Sequence, residues 1–385
     1  MKQVAIIGIG QTPVGEHWDA SLRMLAADAV RSALDNAGLK RADALYVGNA
    51  YGASFSSQSQ LGALIADYSG LSGVETFTIE AGDASGGAAL RAGYLAVASG
   101  AVETAIVLGV EKSSDTVGTA HISARGVSLD ADYESIHGAT LPAMAALVMR
   151  RYMHEYGLDL TAFEGFSINA HANGSKNANA MFRNLIKPGA FARAPMLADP
   201  VNLFDSAPDA DGAAALILTT IERAADMVPR PVQIIASAAS SDTLAVHERG
   251  DLFELKAARQ SVSKAYAQAG LEPGDIDLFE LHDAFTILSV LSLEAAGFSA
   301  RGEGWRMAQD GSIQINGRLP ISTFGGLKSR GNPIGAAGVY QALEAVLQLR
   351  GEAGANQVQD AHVAMIQSLG GIASTAITHI LAASG

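Results

Sequence analysis

Cysteine is absent from this sequence of 385 residues, and its absence excludes several kinds of site. Disulfides, thiolate nucleophiles and cysteine-ligated metals are all ruled out, and a cysteine-free chain fits a cytoplasmic protein. Basic charge is also scarce, because 26 Lys and Arg stand against 39 Asp and Glu, for a formal net charge of −13. With no basic stripe anywhere, we expect neither nucleic acid nor an anionic membrane as a partner.

Long apolar runs without charge are missing as well. The most apolar stretch, residues 88–110, contains Arg91 and Glu103 and is interrupted by glycines, which predicts helix, turn and strand rather than a membrane span. The first residues enter a strand-like run directly, so we expect no secretion signal.

The pattern that is present alternates short β-rich runs with Ala-rich amphipathic segments such as 21–37 and 261–269. The strand-like runs are residues 4–9, 44–47, 76–79, 104–108, 213–219, 232–236, 278–281, 363–368 and 375–381. This alternation predicts an α/β protein with a parallel sheet. Residues 113–200 have few β-rich runs and carry scattered His, Met and aromatic residues, which predicts a helical insertion over the sheet. No His or carboxylate spacing there forms a metal-binding face, so we expect no metal.

Two short patterns recur in the same order along the chain. Ala37-Gly38-Leu39 is followed by Asp43, and Ala269-Gly270-Leu271 is followed by Asp275 at the same offset. A turn into an Ala-rich helix occurs after Asp83 and again in residues 331–338. Each match alone is a common helix end or start, but two matches in one order favour an internal duplication.

The most informative segment is residues 76–90, where a strand, a tight small-residue turn and a helix follow one another with Asp83 at the turn. The start of a helix presents unpaired backbone N–H groups and the positive end of the helix dipole, so this position suits an anion. We therefore expect Asp83 to be ionised.

Four segments, in order and spacing, resemble the active-site loops of thiolases, with a form similar to the sterol-carrier-protein type. They are Asp83-Ala84-Ser85-Gly86, His282-Asp283-Ala284-Phe285, Gly331-Asn332-Pro333-Ile334-Gly335-Ala336 and Ser368-Leu369-Gly370-Gly371. The resemblance implies a five-layered αβαβα fold of two duplicated halves. It places residues 1–112 with 201–225 in the first half, 226–385 in the second, and 113–200 in an inserted helical loop domain.

The resemblance also implies the site. Asp83 stands at the position of the nucleophilic cysteine, Asn332 at that of the activating histidine, His282 in the oxyanion hole and Ser368 at the C-terminal acid/base position. It further implies substrate contacts from Ser85, Gly86, Phe285 and Gly370.

A carboxylate attacking a thioester gives an anhydride that water destroys, and an Asn side chain cannot accept a proton as imidazole does. We therefore expect acyl-CoA chemistry without a covalent acyl intermediate, either aldol or retro-aldol C–C chemistry or a non-classical acyl transfer. In this scheme Asp83 acts as a general base or an electrostatic element, while His282 and Asn332 donate hydrogen bonds to the thioester oxygen. The resemblance implies a coenzyme A thioester as the substrate and no covalently bound cofactor. Tyr340, on the helix that follows Asn332, is expected to pack in the core.

The alternative is a non-catalytic subunit that binds acyl-CoA or a catalytic partner. Asp83 then caps its helix, His282 is a hydrogen-bonded residue at a strand end, and Asn332 is a turn residue before Pro333. The family resemblance implies a homodimer or tetramer in either case, with a small zinc-ribbon and OB-fold protein as a further partner.

Overall fold

The fold is organised around a nine-stranded sheet, in a computed structural model that describes residues 1–384. The strands of this sheet are β1 (Val4–Gln11), β2 (Ala44–Gly48), β3 (Glu75–Ile79), β4 (Thr104–Glu111), β7 (Gly212–Thr220), β8 (Val232–Ser241), β9 (Leu278–Glu280), β10 (Val363–Gly370) and β11 (Thr375–Ala383). Their spatial order is β3-β2-β4-β7-β1-β8-β11-β10-β9, and β5 (Met196–Ala198) pairs separately with β6 (Val201–Asn202). Each of the nine runs predicted from the sequence forms one of these nine strands.

Helices cover both faces of this sheet. They are α1 (Leu22–Asn36), α2 (Gly52–Phe55), α3 (Leu61–Tyr68), α4 (Ser85–Ser99), α5 (Gly118–Gly126), α6 (Leu141–Tyr156), α7 (Glu164–Gly174), α8 (Ile221–Met227), α9 (Lys256–Ala269), α10 (Thr286–Ala295), α11 (Arg306–Gln309) and α12 (Ala337–Arg350). Since β4 and β7 are buried at every residue, their sequences are continuous apolar runs rather than alternating ones.

The elements form five layers. Helices α4 and α12 pack against each other and against strands from both ends of the sheet, so they form the central layer. Helix α1 covers the outer face of β1, β4 and β7, and α3 covers the outer face of β2 and β3. Helix α9 covers the outer face of β8 and β11. Three hydrophobic clusters fill the spaces between layers. This is the αβαβα arrangement expected from the sequence.

The central helices approach closely because small residues line their crossing. A Cβ added at Gly86 of α4 would lie 2.9 Å from the carbonyl oxygen of Gly335, and one at Gly338 of α12 would lie 2.4 Å from the Gly87 nitrogen. Both distances are too short for a real Cβ, so larger residues would push the central layer apart.

The prediction of a parallel sheet is wrong, because the sheet is mixed. Strand β2 is parallel to β3 and β4, and β9 is parallel to β10, whereas the remaining neighbours are antiparallel. Only four residues, 371–374, connect β10 to β11. A connection this short allows only antiparallel pairing, since a parallel crossover needs a dozen or more residues.

Residues 113–200 contain α5, α6 and α7 together with β5. The helical character expected of this segment is therefore present, and α5 lies close to the start of α4. Among residues 1–384, no helix is long and apolar enough to cross a membrane.

Candidate active site

The turn between β3 and α4 holds Asp83 in a fixed position. Gly82 has a φ of +57°, a conformation that favours glycine and allows the sharp reversal. The Ser85 hydroxyl donates to the Gly82 carbonyl oxygen at 2.6 Å and accepts from the Ala81 N–H at 2.9 Å. Ser85, expected to contact substrate, is buried and holds the turn together instead.

Asp83 is engaged in a buried, two-pronged ion pair with Arg125 of α5. Its Oδ1 accepts from Nη1 at 2.7 Å and its Oδ2 from Nη2 at 2.9 Å. The Asp83 side chain is 4% exposed and that of Arg125 is 12% exposed. The N-cap residue of α4 is Ala84, and no side chain caps the helix there. The carboxylate is therefore directed at a cation, and the role of a simple helix cap does not describe it.

Arg125 extends this pair into a network that crosses the site. Its Nε lies 3.1 Å from Oδ2 of Asp209, and its guanidinium carbon lies 4.9 Å from the centre of the Tyr51 ring. Asp209 also accepts from Asn332 Nδ2 at 3.3 Å and lies 2.9 Å from His121 Nε2. One side chain, Asp209, thus links α5 to the loop that contains Asn332.

The charges of this network settle the ionisation of Asp83. Burial raises the pKa of its carboxyl, but the Arg125 guanidinium outweighs burial and holds that pKa below its ordinary value, with His282 and Asn332 acting in the same direction. The carboxylate is therefore ionised at neutral pH, as expected from the sequence. A lowered pKa with both oxygens occupied makes it a weak base.

His121 becomes a second cation of the network when its ring is protonated. The hydrogen bond to Asp209 raises its pKa above the ordinary histidine value. Its Nδ1 lies 3.0 Å from the Thr116 carbonyl oxygen, so a protonated ring can donate from both nitrogens, to Thr116 and to Asp209. With His121 charged, two carboxylates face two cations and the network is neutral.

His282 lies just beyond β9 and is completely buried. Neither of its ring nitrogens has a hydrogen-bond partner among the described residues. Burial lowers its pKa below the ordinary value, although the Asp83 carboxylate opposes that shift. His282 is therefore neutral, and it is not the hydrogen-bonded strand-end histidine of the alternative interpretation. The neutral ring has one N–H donor and one acceptor nitrogen, and leaving both unpaired carries a desolvation cost.

A cavity of about 600 Å³ opens beside this network. Its polar wall is formed by Arg125, His121, Asp209 and Asn332. Its remaining walls are mainly apolar, formed in part by Ile122, Leu141, Pro142, Leu197, Ala284 and Phe285. Asn332 and Phe285, both expected at the site from sequence, thus line the cavity, whereas Asp83 lies behind Arg125. The arrangement fits a ligand with an apolar body and one polar group.

Ser368 does not line this cavity, contrary to its expected position. It lies near the end of β10, fully buried, and its hydroxyl donates to Gln341 Oε1 at 3.1 Å. Added Cβ atoms at Gly87 and Gly338 would lie 2.8 and 2.6 Å from its oxygen, so the residue sits between α4 and α12. Tyr340 is also in the core, as expected, with its hydroxyl donating to the Thr12 and Ala213 carbonyl oxygens.

Two glycines expected to contact the substrate instead allow close packing of the backbone. Gly86 lies at the crossing of the central helices. A Cβ at Gly370 would lie 2.5 Å from the Ala81 carbonyl oxygen, so this glycine allows the C-terminal loop to approach the turn that holds Asp83. Among residues 1–384, no three His, Asp or Glu side chains form a group that could hold a metal.

Sequence reasoning missed Arg125, Asp209 and the role of His121. The sequence does indicate that a cation such as Arg125 is needed, because a buried carboxylate in a turn of small residues requires a positively charged partner. Which basic residue supplies it depends on where α5 lies, and the sequence does not show that. The sequence gives no signal for His121, which is one of several histidines scattered through residues 113–200.

The comparisons with known proteins agree with this architecture. The family model "Thiolase, N-terminal domain" matches residues 4–194, and "Thiolase C-terminal domain-like" matches residues 238–383. The acetyl-CoA acetyltransferase of Methanothermobacter thermautotrophicus is 42% identical over 99% of this chain and 99% of its own. The chain belongs to the thiolase family.

Two further relatives act on carbon–carbon bonds, according to their names. The 17-hydroxy-3-oxo-4-pregnene-20-carboxyl-CoA lyase of Mycobacterium tuberculosis is 31% identical over 91% of this chain and 92% of its own. The solved structure named Ltp2-ChsH2(DUF35) aldolase matches with a TM-score of 0.87 and 27% identity, covering 99% of this chain and 98% of that one.

Proposed function

We propose that this protein binds an acyl-CoA and makes or breaks a C–C bond next to the thioester without forming an acyl-enzyme. The observation that carries the proposal is the buried Asp83–Arg125 pair at the head of α4, where the resemblance puts the nucleophilic cysteine. Both carboxylate oxygens are bound to the guanidinium. A side chain held in this way is a poor nucleophile, whereas the cation beside it is suited to stabilising developing negative charge.

Of the two roles considered for Asp83, the geometry favours the electrostatic one. Asp83 fixes the orientation of Arg125, which together with Asn332 presents N–H donors at the cavity wall. In a retro-aldol step, a base takes the hydroxyl proton of a 3-hydroxyacyl-CoA and the C2–C3 bond breaks. C3 becomes a carbonyl carbon, and the electron pair passes to C2 and the thioester oxygen. Arg125 and Asn332 stabilise that enolate oxygen, and return of the proton to C2 completes the reaction.

Asp209 is the carboxylate best placed to move that proton. Its side chain is 20% exposed and faces the cavity, whereas Asp83 is nearly enclosed. His121 also lines the cavity and its Nε2 lies 2.9 Å from Asp209 Oδ2, so its neutral ring can take up the proton beside that carboxylate. We therefore assign proton transfer to the Asp209–His121 pair, with the imidazole of His121 as the final acceptor, and oxyanion stabilisation to Arg125 and Asn332.

The same proposal includes two kinds of protein partner. Strand β3 is an edge strand, paired only with β2, and its Phe77 is 58% exposed. An exposed edge strand with an aromatic side chain is a natural pairing surface for a second copy of the chain, which supports a homodimer. The Ltp2-ChsH2(DUF35) structure names two proteins, and this supports a small partner protein for the present chain as well.

A non-catalytic acyl-CoA-binding subunit is the second candidate, and one observation favours it: Asp83 and His282 are both buried and do not line the cavity. Titration calorimetry with a panel of acyl-CoAs, combined with product analysis by mass spectrometry, separates the two. The enzyme proposal requires binding and C–C products from at least one compound. Binding to the panel without products, with the purified dimer and with its partner added, favours the second candidate.

A further inference from the structure

A second cavity, of about 480 Å³, lies beside the first and shares Leu197, Ser206 and Ala207 with it. Its walls are mostly apolar, with Phe182, Leu185 and Phe204 among the larger contributors. The few ionisable side chains on it include Lys328 and His171. Neither belongs to the network around Asp83, and neither has a role in the function proposed above.

Lys328 is an unusual lysine because it is buried without a salt bridge. It lies on a π-helical turn, Gly326–Arg330, and is 3% exposed. Its Nζ donates to the Asp205 backbone carbonyl oxygen at 2.5 Å. Among the described residues, no carboxylate oxygen lies within 4.0 Å of this nitrogen. A buried ammonium in this position lacks the partner that normally offsets its desolvation.

The surroundings of Lys328 favour its neutral form. Burial lowers the pKa of the amine to about 8, although the nearby Asp283 and Asp205 carboxyls oppose the shift. Burial also raises the pKa of the Asp205 carboxyl itself. Compared with an ordinary lysine of pKa about 10.4, a pKa of about 8 gives roughly two hundred times more neutral amine near neutral pH.

His171 supplies a neutral imidazole on the same cavity. Its Nδ1 lies 3.0 Å from the Asn184 carbonyl oxygen, which places the ring hydrogen on Nδ1 and leaves Nε2 as the acceptor. Burial lowers the pKa of this histidine, and the Lys328 ammonium acts in the same direction. An amine that can lose its proton and an imidazole that can accept one therefore share an apolar cavity.

We propose that this second cavity binds an apolar aldehyde or ketone and that Lys328 forms a Schiff base with it. The neutral Lys328 amine adds to the carbonyl carbon, and the C–N bond forms as the carbonyl π bond breaks. His171 carries the two amine protons from nitrogen to oxygen in turn: the first converts the alkoxide to the carbinolamine hydroxyl, and the second protonates that hydroxyl, which leaves as water while the C=N bond forms. The products are the imine and one water, so no oxidant or reductant is required.

The test uses hexanal as the probe and sodium cyanoborohydride to reduce any imine to a stable hexyl-amine. The whole protein is treated near neutral pH with limiting hexanal, digested and mapped by mass spectrometry. Exposed lysines are internal controls: Lys40, which does not line the cavity, and Lys187 at the cavity rim. We expect Lys328 to be labelled at least roughly tenfold faster than either, because a larger fraction of its amine is neutral.

Lys328→Arg keeps the charge and should remove the fast label while leaving slow labelling of exposed lysines unchanged. If that variant fails to fold, the ratio of labels within the wild-type protein still decides the question. Labelling confined to exposed lysines, with Lys328 unmodified, would overturn the proposal. A fast label that persists in Lys328→Arg would do the same. Hexanol in place of hexanal should give no adduct, since it has no carbonyl.

Discussion

Replacement of Arg125 by methionine is the sharpest perturbation of the candidate site. The change keeps the length of the side chain and removes its charge, so Asp83 is left as a buried carboxylate without a cation. Breaking a buried pair by removing one partner typically costs about 3–5 kcal/mol. Loss of the Tyr51 contact adds about 0.5–2 kcal/mol, and Asp209 loses one of its two cations. We therefore expect Arg125→Met to lose at least about 3 kcal/mol of unfolding free energy at about pH 8.

The pH dependence of this loss identifies its cause. In the wild type the pKa of Asp83 is lowered, so its stabilising contribution is present above its unfolded pKa and is lost as pH falls through the lower folded pKa. Without Arg125, only His282 and Asn332 oppose burial, so we expect the pKa of Asp83 to rise. Protonation on acidification then relieves the penalty, and the difference between variant and wild type should shrink between about pH 8 and about pH 5.

The measurement is urea unfolding followed by circular dichroism at both pH values. Arg150→Met is the matched control, because Arg150 pairs with Asp199 at the surface, with side chains 59% and 67% exposed. Such a pair contributes about 0–1 kcal/mol, so the control should be nearly neutral. A loss below about 1 kcal/mol in Arg125→Met, equal at both pH values, would refute the assignment of a buried ion pair.

Three further results follow, two from the same network and one from the exposed edge strand. Asp83→Asn should retain acyl-CoA affinity but lower the rate of C–C chemistry at least roughly tenfold, as measured by calorimetry and product analysis, because Arg125 loses its charged anchor; an unchanged rate would speak for the non-catalytic subunit. His121 should titrate by NMR above about 6.5, the ordinary histidine pKa. Its contribution to the unfolding free energy, measured against His121→Gln, should be full below that pH and vanish as pH rises through the folded pKa. A contribution that grows with pH would be inconsistent with a raised pKa. Phe77→Asp on the exposed edge strand should convert a dimer to a monomer in light scattering, with Leu147→Asp, an exposed residue of α6, as the control; a dimer that survives would move the interface elsewhere.

Sequence patterns predicted the strands well, most clearly those that are buried on both faces. Runs such as β4 and β7 have no polar alternation to obscure them, and glycine-rich turns separate them from the helices. The direction of the strands was predicted less well. The direction of pairing depends on the length of the connection between two strands. The short loop between β10 and β11 allows only antiparallel pairing, and the predicted parallel sheet did not take this into account.

The candidate site was predicted only in part, for a physical reason. Residues at strand ends and helix starts, such as Asp83 and Asn332, follow from local pattern. Arg125 and Asp209 lie on irregular or inserted segments whose position depends on tertiary packing. Ser368 illustrates the converse, because its place in the sequence matches an active-site loop while its side chain packs between two central helices.

The central claim is C–C bond chemistry on an acyl-CoA without an acyl-enzyme, and one measurement addresses it directly. The wild-type protein is incubated with a 3-hydroxyacyl-CoA, and the mixture is analysed by liquid chromatography and mass spectrometry for both small molecules and intact protein. We expect a shortened acyl-CoA and the matching aldehyde or ketone, with the protein mass unchanged throughout turnover. A protein mass increased by one acyl group, appearing and decaying with turnover, would contradict the account.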